Sequence, residues 1–309
     1  MNDTLHTVDD HGYNATVSSI RLLHDDLMIL RVEPDDGIPP FEAGQYTTLG
    51  LLPEEPRIGE ASPAGAAGGR MIRRAYSISS PMLDDAGELT SHDRFGFLEF
   101  YITLVRKPSD EPPSLTPRIF AMQAGHRIFM GHRPKGTYTL QPVQPDDHVI
   151  FAATGTGEAP HNTMLSDLLI GGHRGRIASL VCVRKQQDLG YLDTHRCLEQ
   201  RFSNYRYVPL TTREPENTDA NHPGFVGRRY LQDVFSADNL AETLGWLPSA
   251  GDTHVFLCGS PAMIGLPEKG PDGNDVFPEP RGMIETLMAR GFRPDHPRDP
   301  GNIHFETYW

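Results

Sequence analysis

The sequence predicts two domains in series: an N-terminal antiparallel β-barrel, then an α/β domain built on a parallel sheet. Three observations carry this. The first half is a series of short runs rich in β-branched and aromatic residues, bounded by Pro, Gly and Asp, at the regular spacing of a barrel. From His148 the rhythm changes to apolar runs alternating with helical stretches, the pattern of a parallel sheet. A glycine turn, Gly155-Thr156-Gly157, sits between the first such run and the first such helix.

In chain order, strands are expected at residues 14–23, 27–33, 45–51, 74–80, 95–105, 127–131 and 137–140. One helix, 117–123, interrupts them, with Thr116 as its N-cap and Pro117 at its first position; its amino end suits an anion. Residues 53–69 lack periodicity and are expected to form a surface excursion. A Pro- and Asp-containing linker at 141–147 sets the expected domains as 1–145 and 146–309. The second domain is expected to place strands at 148–153, 177–183, 205–209, 254–257 and 303–305, and helices at 159–170, 192–201, 261–265 and 279–290. A second irregular insertion spans 267–278, and no internal repeat is visible.

At 309 residues, with 38% hydrophobic and 22% charged, the chain can build two ordinary cores. No run approaches the roughly 20 apolar residues of a membrane span, and the start is acidic where a signal peptide would be basic, so a cytoplasmic protein is expected. Cys182, Cys197 and Cys258 are too scattered for a disulfide framework, no metal-ligand spacing occurs, and no bound metal is expected. A net charge of −13 argues against nucleic acid as a partner. Basic residues nevertheless gather in the first half: Arg70, Arg73, Arg74, Arg106, Lys107, Arg118, Arg127, Arg133 and Lys135. Some of these could present a local docking face to an acidic protein.

The segment Arg73-Arg74-Ala75-Tyr76-Ser77 is the most informative. In a strand, Arg74 and Tyr76 share a face and Ser77 takes the other, which sets a phosphate-binding fork beside a stacking surface. Residues 153–160, Ala-Thr-Gly-Thr-Gly-Glu-Ala-Pro, form a turn whose glycines let backbone N–H groups approach a pyrophosphate. The turn is not GxGxxG, which disfavours an ordinary dehydrogenase.

Together with Leu257-Cys258-Gly259-Ser260-Pro261 and the terminus Ile303-His304-Phe305-Glu306-Thr307-Tyr308-Trp309, these segments resemble the ferredoxin NADP reductase family, bacterial type, from about Gly44 to the last residue. The resemblance implies an FAD-binding barrel followed by a Rossmann-like NADP-binding domain. On it, Arg74 holds the FAD pyrophosphate with Ala75 beside it, Tyr76 stacks on the isoalloxazine, and Ser77 hydrogen-bonds near flavin N5. Ile102, Thr103 and Leu104 line the flavin and its phosphates, as do Ser114, Leu115 and Thr116. Thr154, Gly155, Thr156, Gly157 and Gly259 face the nicotinamide dinucleotide. Arg184, Thr212, Arg213 and Arg228 resemble positions that hold the 2′-phosphate, favouring NADP over NAD, and Tyr230 matches the tyrosine that stacks on the adenine. Cys258 and Glu306 resemble the nicotinamide-site pair, the thiol setting geometry and the carboxylate sharing a proton relay with Ser77. Tyr308 resembles the aromatic that covers the flavin and must be displaced for nicotinamide. Trp309 resembles a final residue reaching the FAD adenine. Glu158 and His161 depart from the apolar or small residues of many members.

The expected activity is therefore electron transfer between NADPH and ferredoxin or flavodoxin through FAD; a monomer is favoured, and the sequence leaves the oligomeric state open. Two alternatives stand beside it: a reductase serving an oxygenase or free flavin, and a non-catalytic flavin- or nucleotide-binding module.

Overall fold

The computed structural model describes residues 12–59, 69–106, 114–236, 238, 240–271, 273–296 and 298–308. The first half contains β1 (Ala15–His24), β2 (Leu27–Pro34), β3 (Tyr46–Leu51), β4 (Ile72–Ser77), β5 (Leu98–Thr103), α1 (Thr116–Ile119) and β6 (Arg127–Met130). They form a six-stranded sheet in the order β4-β3-β6-β1-β2-β5, with every pairing antiparallel. A bridge between Ser79 and Glu99 joins the two edges and closes the sheet. Val17, Leu30, Leu49, Phe100 and Ile128 fill its interior.

Three expectations fail here, each because of a contact with another part of the chain. β4 ends at Ser77 and not at residue 80, because the Ser79 N–H leaves β3 and donates to the Glu99 carbonyl on β5 at 2.8 Å. The stretch 137–140 is not a strand: Tyr138 turns out of the barrel and buries its ring against Phe256 of the second half. Thr116 is not a cap but the first residue of α1, and its hydroxyl accepts the Val105 N–H at 3.0 Å.

The second half runs β7 (His148–Thr154), α2 (Glu158–Ile170), β8 (Ile177–Val183), α3 (Leu192–Arg201), β9 (Tyr205–Thr211), α4 (Pro215–Thr218), α5 (Leu231–Ser236), α6 (Leu240–Leu244), β10 (Thr253–Gly259), α7 (Pro261–Ile264), β11 (Glu268–Lys269), β12 (Asp275–Val276), α8 (Met283–Met288) and β13 (Ile303–Thr307). Five strands pair in parallel in the order β13-β10-β7-β8-β9. Their buried residues alternate between two cores, as a period of two requires. Phe151, Ala153, Val181, Phe256 and Cys258 face α2 and α3. Ile150, Ala152, Leu180, Val255 and Leu257 face α5, α7 and α8. The insertion at 267–278 contains the small β11/β12 hairpin, tied by Lys269 and Asp275 at 2.6 Å. The helix expected over 279–290 begins only at Met283, behind Pro280 and the Gly282 N-cap.

Helix α2 positions the two halves. Nearly all of it is buried, so its polar side chains need partners. Four of them find these in the first half. His161 Nε2 meets the Tyr138 hydroxyl at 2.7 Å, and Asn162 Nδ2 donates to Ser79 Oγ at 3.1 Å. Thr163 Oγ1 accepts the Gly44 N–H at 3.1 Å, and Asp167 meets His92 Nδ1 at 2.8 Å. Gly44 has φ +98°, and a Cβ there would stand 2.1 Å from the Tyr138 carbonyl, so no side chain fits.

Burial alone would lower the His92 pKa, but the hydrogen bond and charge of Asp167, helped by the Phe41 backbone, leave it above the ordinary 6.5. A raised histidine contributes its full stability below the unfolded pKa and loses it as pH rises through the folded one. The His92 contribution should therefore fade from pH 6 to pH 8, so in thermal melts the stability advantage of wild type over His92→Gln should shrink across that window, by no more than about 1 kcal/mol because Asp167 is partly exposed.

Candidate active site

Arg74 and Ala75 are exposed on β4, Tyr76 is half-buried, and Ser77 is buried at the strand's end. The Arg74 guanidinium donates to the Arg73 carbonyl at 2.8 Å, and no carboxylate among the described residues pairs with it. Arg70, Arg73 and Arg74 line a hollow of about 460 Å³. Tyr76 sits edge-on to Phe100, with ring centroids 6.4 Å apart. Burial raises its phenol pKa, with Arg74 opposing.

Ser77 reaches across to the other half, where its hydroxyl donates to Glu306 Oε2 at 3.1 Å. Glu306 on β13 stands in register with Cys258 on β10, and the Tyr308 N–H extends that pairing by donating to the Gly259 carbonyl at 2.8 Å. Ser77, Cys258, Glu306 and Tyr308 thus converge from three segments. The Tyr308 hydroxyl is buried among them without a hydrogen bond of normal geometry. Burial drives the Cys258 thiol well above its usual pKa, and the Glu306 charge adds to this. An uncharged thiol is a packing group and not a nucleophile. Burial also raises Glu306, with the Ser77 hydrogen bond opposing.

Two neighbours of this cluster were not assigned a role from sequence. Tyr138 is fully buried, its phenol pKa raised by burial and by Cys258, Glu306 and Tyr308. Its partner His161 is lowered to about 3 by burial and by His195, so the ring stays neutral. The only sequence signal was that His161 replaces a residue type usual in the family. Glu158, the other departure, is buried against His195 Nε2 at 2.9 Å, and Tyr207 donates to it at 3.3 Å.

At the carboxyl end of β7, Gly155 to Gly157 make one 3-10 turn leading into the 13-residue α2. Gly155 has φ +53° and open space where a Cβ would stand. A Cβ on Gly157 would lie 2.2 Å from the Cys258 carbonyl, so glycine lets the two loops pack together. Thr154 Oγ1 accepts the Ser260 N–H at 2.8 Å, locking the same pair of loops.

Arg184 and Arg213 follow β8 and β9, and the Arg184 carbonyl accepts the Arg213 N–H at 2.8 Å, with Thr212 buried beside them. Asn217 of α4 holds the Gly227 carbonyl at 3.2 Å, pinning the segment that carries Arg228 and the exposed Tyr230. All three arginines are exposed, and none pairs with a carboxylate among the described residues.

The other expected positions are less convergent. Ile102 and Leu104 are buried, while Thr103 is exposed. Ser114, Leu115 and Thr116 are buried at the start of α1, beside the end of β5. Trp309 lies outside the described residues. Several candidate docking cations are occupied: Arg118 is buried on the Pro53 carbonyl, Arg127 pairs with Asp35, and Arg106 pairs with Asp26. Lys107 lies outside the described residues.

Residues 151–269 match the oxidoreductase NAD-binding domain family. The flavodoxin/ferredoxin–NADP reductase of Escherichia coli is 30% identical over 230 residues, covering 73% of this chain and 76% of that one. The ferredoxin–NADP reductase of Pseudomonas aeruginosa is 26% identical over 261 residues, covering 82% and 86%. Among solved structures, a ferredoxin NADP+ reductase from Neisseria gonorrhoeae with bound FAD and NADP aligns over 96% of this chain and 99% of its own, with a TM-score of 0.70 at 19% identity. A matching fold and 30% identity over most of both chains make this chain a member of the flavodoxin/ferredoxin–NADP reductase family.

Proposed function

We propose that this chain is an FAD-dependent oxidoreductase that moves electrons between NADPH and a one-electron carrier such as ferredoxin or flavodoxin. In this reading residues 1–145 bind FAD and 146–309 bind NADP. The observation that carries it is the Ser77–Glu306 hydrogen bond, which joins the two halves beside Cys258 and Tyr308.

The residues present fit a flavin. Arg74 offers an uncompensated guanidinium, Tyr76 a partly open aromatic face, and Tyr308 an orphaned hydroxyl in the same region. When bound, FAD supplies the conversion between two-electron hydride chemistry and one-electron transfer. The chain's own work is binding, orientation and proton handling. Arg74 would neutralise pyrophosphate, and Tyr76 and Tyr308 would supply stacking surfaces. Cys258 would shape the nicotinamide pocket as a neutral thiol, and Tyr308 would have to move aside for the nicotinamide. Ser77 and Glu306 would hold a proton between them at Ser77 Oγ and Glu306 Oε2. The open backbone turn at Gly155 would receive the NADP pyrophosphate at the start of α2. Arg184, Arg213 and Arg228 would select the 2′-phosphate. Arg73, exposed on the same strand as Arg74, and the exposed Arg70 before it would meet an acidic carrier.

The purified wild type should carry a flavin absorbance that NADPH bleaches faster than NADH, and a colourless protein that does not take up added FAD would refute the reading. Arg74→Ala combined with Tyr76→Ala should weaken FAD binding at least tenfold in Kd, about 1.4 kcal/mol, and lower the flavin content of a desalted sample. Unchanged flavin content would displace the site from β4.

Replacing Arg184, Arg213 and Arg228 by Ala together should lower kcat/KM for NADPH about a hundredfold while leaving NADH within about threefold. An unchanged preference would sink the 2′-phosphate assignment.

Because Glu306 is raised above ordinary carboxylates, the pH profile of flavin reduction should contain an ionisation above that range. Glu306→Gln should erase it, and an intact inflection would assign it to another group.

A further inference from the structure

One hydrogen-bonded chain runs beneath the site and is used by none of the steps above. Asn162 Nδ2 donates to Ser79 Oγ at 3.1 Å, Ser79 donates to the Tyr191 hydroxyl at 3.0 Å, and Tyr191 donates to Glu99 Oε1 at 2.9 Å. Arg31 Nε closes the chain on Glu99 Oε2 at 2.8 Å while its guanidinium rests on the Phe97 ring. Asn162, Ser79, Tyr191 and Glu99 are each at most 3% exposed.

The ends fix its direction. An amide N–H can only donate, and a carboxylate facing Arg31 can only accept, so the two hydroxyls between them must both pass their protons toward Glu99. Turning the Asn162 amide over would take the Ser79 proton and leave Ser79 and Tyr191 as two acceptors face to face. While Glu99 is ionised the arrangement therefore runs in one direction, with Asn162 Oδ1 buried and without a hydrogen-bond partner among the described residues. With Arg31 on β2 it spans five elements: α2, the segment after β4, the residue before α3, β5 and β2.

Ser79 is two residues beyond Ser77, and its N–H is also tied to the Glu99 carbonyl at 2.8 Å. Its backbone and side chain are thus both clamped, one to the barrel and one to α2. We propose that Asn162 and Tyr191 are positioning residues that act through Ser79 to set Ser77, on the barrel wall, against Glu306, on the nucleotide side. This rests on the oxidoreductase reading above. Misplacing a reacting group by about 1 Å can reduce rate about a hundredfold, so a hydrogen bond this far from the chemistry can matter to it.

Tyr191→Phe keeps the ring and removes a hydroxyl that both accepts and donates; Asn162→Leu removes the first donor. In single-turnover reduction by NADPH, each should slow flavin reduction about tenfold with flavin content and NADPH affinity unchanged. The double variant should be no slower than about twofold beyond either single, since both act through one serine. Amide hydrogen exchange of the flavin-free proteins should accelerate across residues 77–80 in both variants. Ser79→Ala, a smaller change in the same place, should reproduce both effects if a larger one impairs folding. Unchanged exchange at 77–80, single-variant rates within about twofold of wild type, or a double effect equal to the product of the singles would each overturn the proposal. A wild type that binds no flavin fails the oxidoreductase reading itself, while the exchange measurement still decides the coupling.

Discussion

The structure depends on the burial of α2. A helix enclosed on nearly all sides puts His161, Asn162 and Thr163 in a dry core, where an unmatched polar group costs about 1 to 3 kcal/mol, with Asp167 half-buried beyond them. Their partners lie in the first half: Tyr138, Ser79, Gly44 and His92. Hydrophobic packing alone tolerates sliding. Hydrogen bonds at four heights along one helix do not, and they fix how the barrel meets the sheet. The mixed core around α2 follows, with Leu27, Ile29, Ala43 and Tyr101 of the barrel packed in one cluster with Phe151, Met164 and Phe256.

That fixed meeting sets the chemistry of the site. Ser77 arrives on the barrel, Cys258, Glu306 and Tyr308 arrive on the sheet, and the space between them is apolar and desolvated. Burial acts on every titratable group there in the direction of its neutral form: it raises Cys258, Tyr138 and Tyr308, and it lowers His161. Glu306 is also raised, but as a half-buried carboxyl hydrogen-bonded to Ser77 it is the member suited to exchange protons with solvent. A site of neutral groups around one carboxyl suits hydride chemistry, which needs orientation more than fixed charge.

The elements that sequence reasoning placed well are those whose signals are local. Period-two runs gave most strands, and the Gly155 turn between an apolar run and a helix marked the carboxyl end of β7. The four short motifs carried the residues that do converge. What failed depends on contacts distant in sequence. Tyr138 sits in a β-like run, and only the α2 face 23 residues away explains why it leaves the barrel. Ser79 reads as the continuation of β4 until Glu99 takes its N–H. Helices α4, α5 and α6 have four to six residues each, too short to show a 3.6-residue period. His161 and Asn162 look like exposed polar positions of a helix, because sequence records that a side chain is polar but not where its partner lies.

Charge shows the same separation between composition and place. The net charge of −13 says nothing about where an anion binds, and a count of arginines says little more. What distinguishes them is what each guanidinium already holds. Arg106 and Arg127 are matched to aspartates, and Arg118 is consumed by backbone carbonyls in the interior. Those charges are compensated or buried, and their fields at the surface are small. Arg74 beside the hollow on β4, and Arg184, Arg213 and Arg228 beyond β8 and β9, have no carboxylate among the described residues. An exposed guanidinium without a carboxylate partner is stable in water and stays open to an anion from outside. The two groups of arginines stand on opposite halves of the molecule, with Ser77 and Glu306 meeting where those halves join. Two phosphate-bearing cofactors anchored one on each half would direct their reactive ends to that junction.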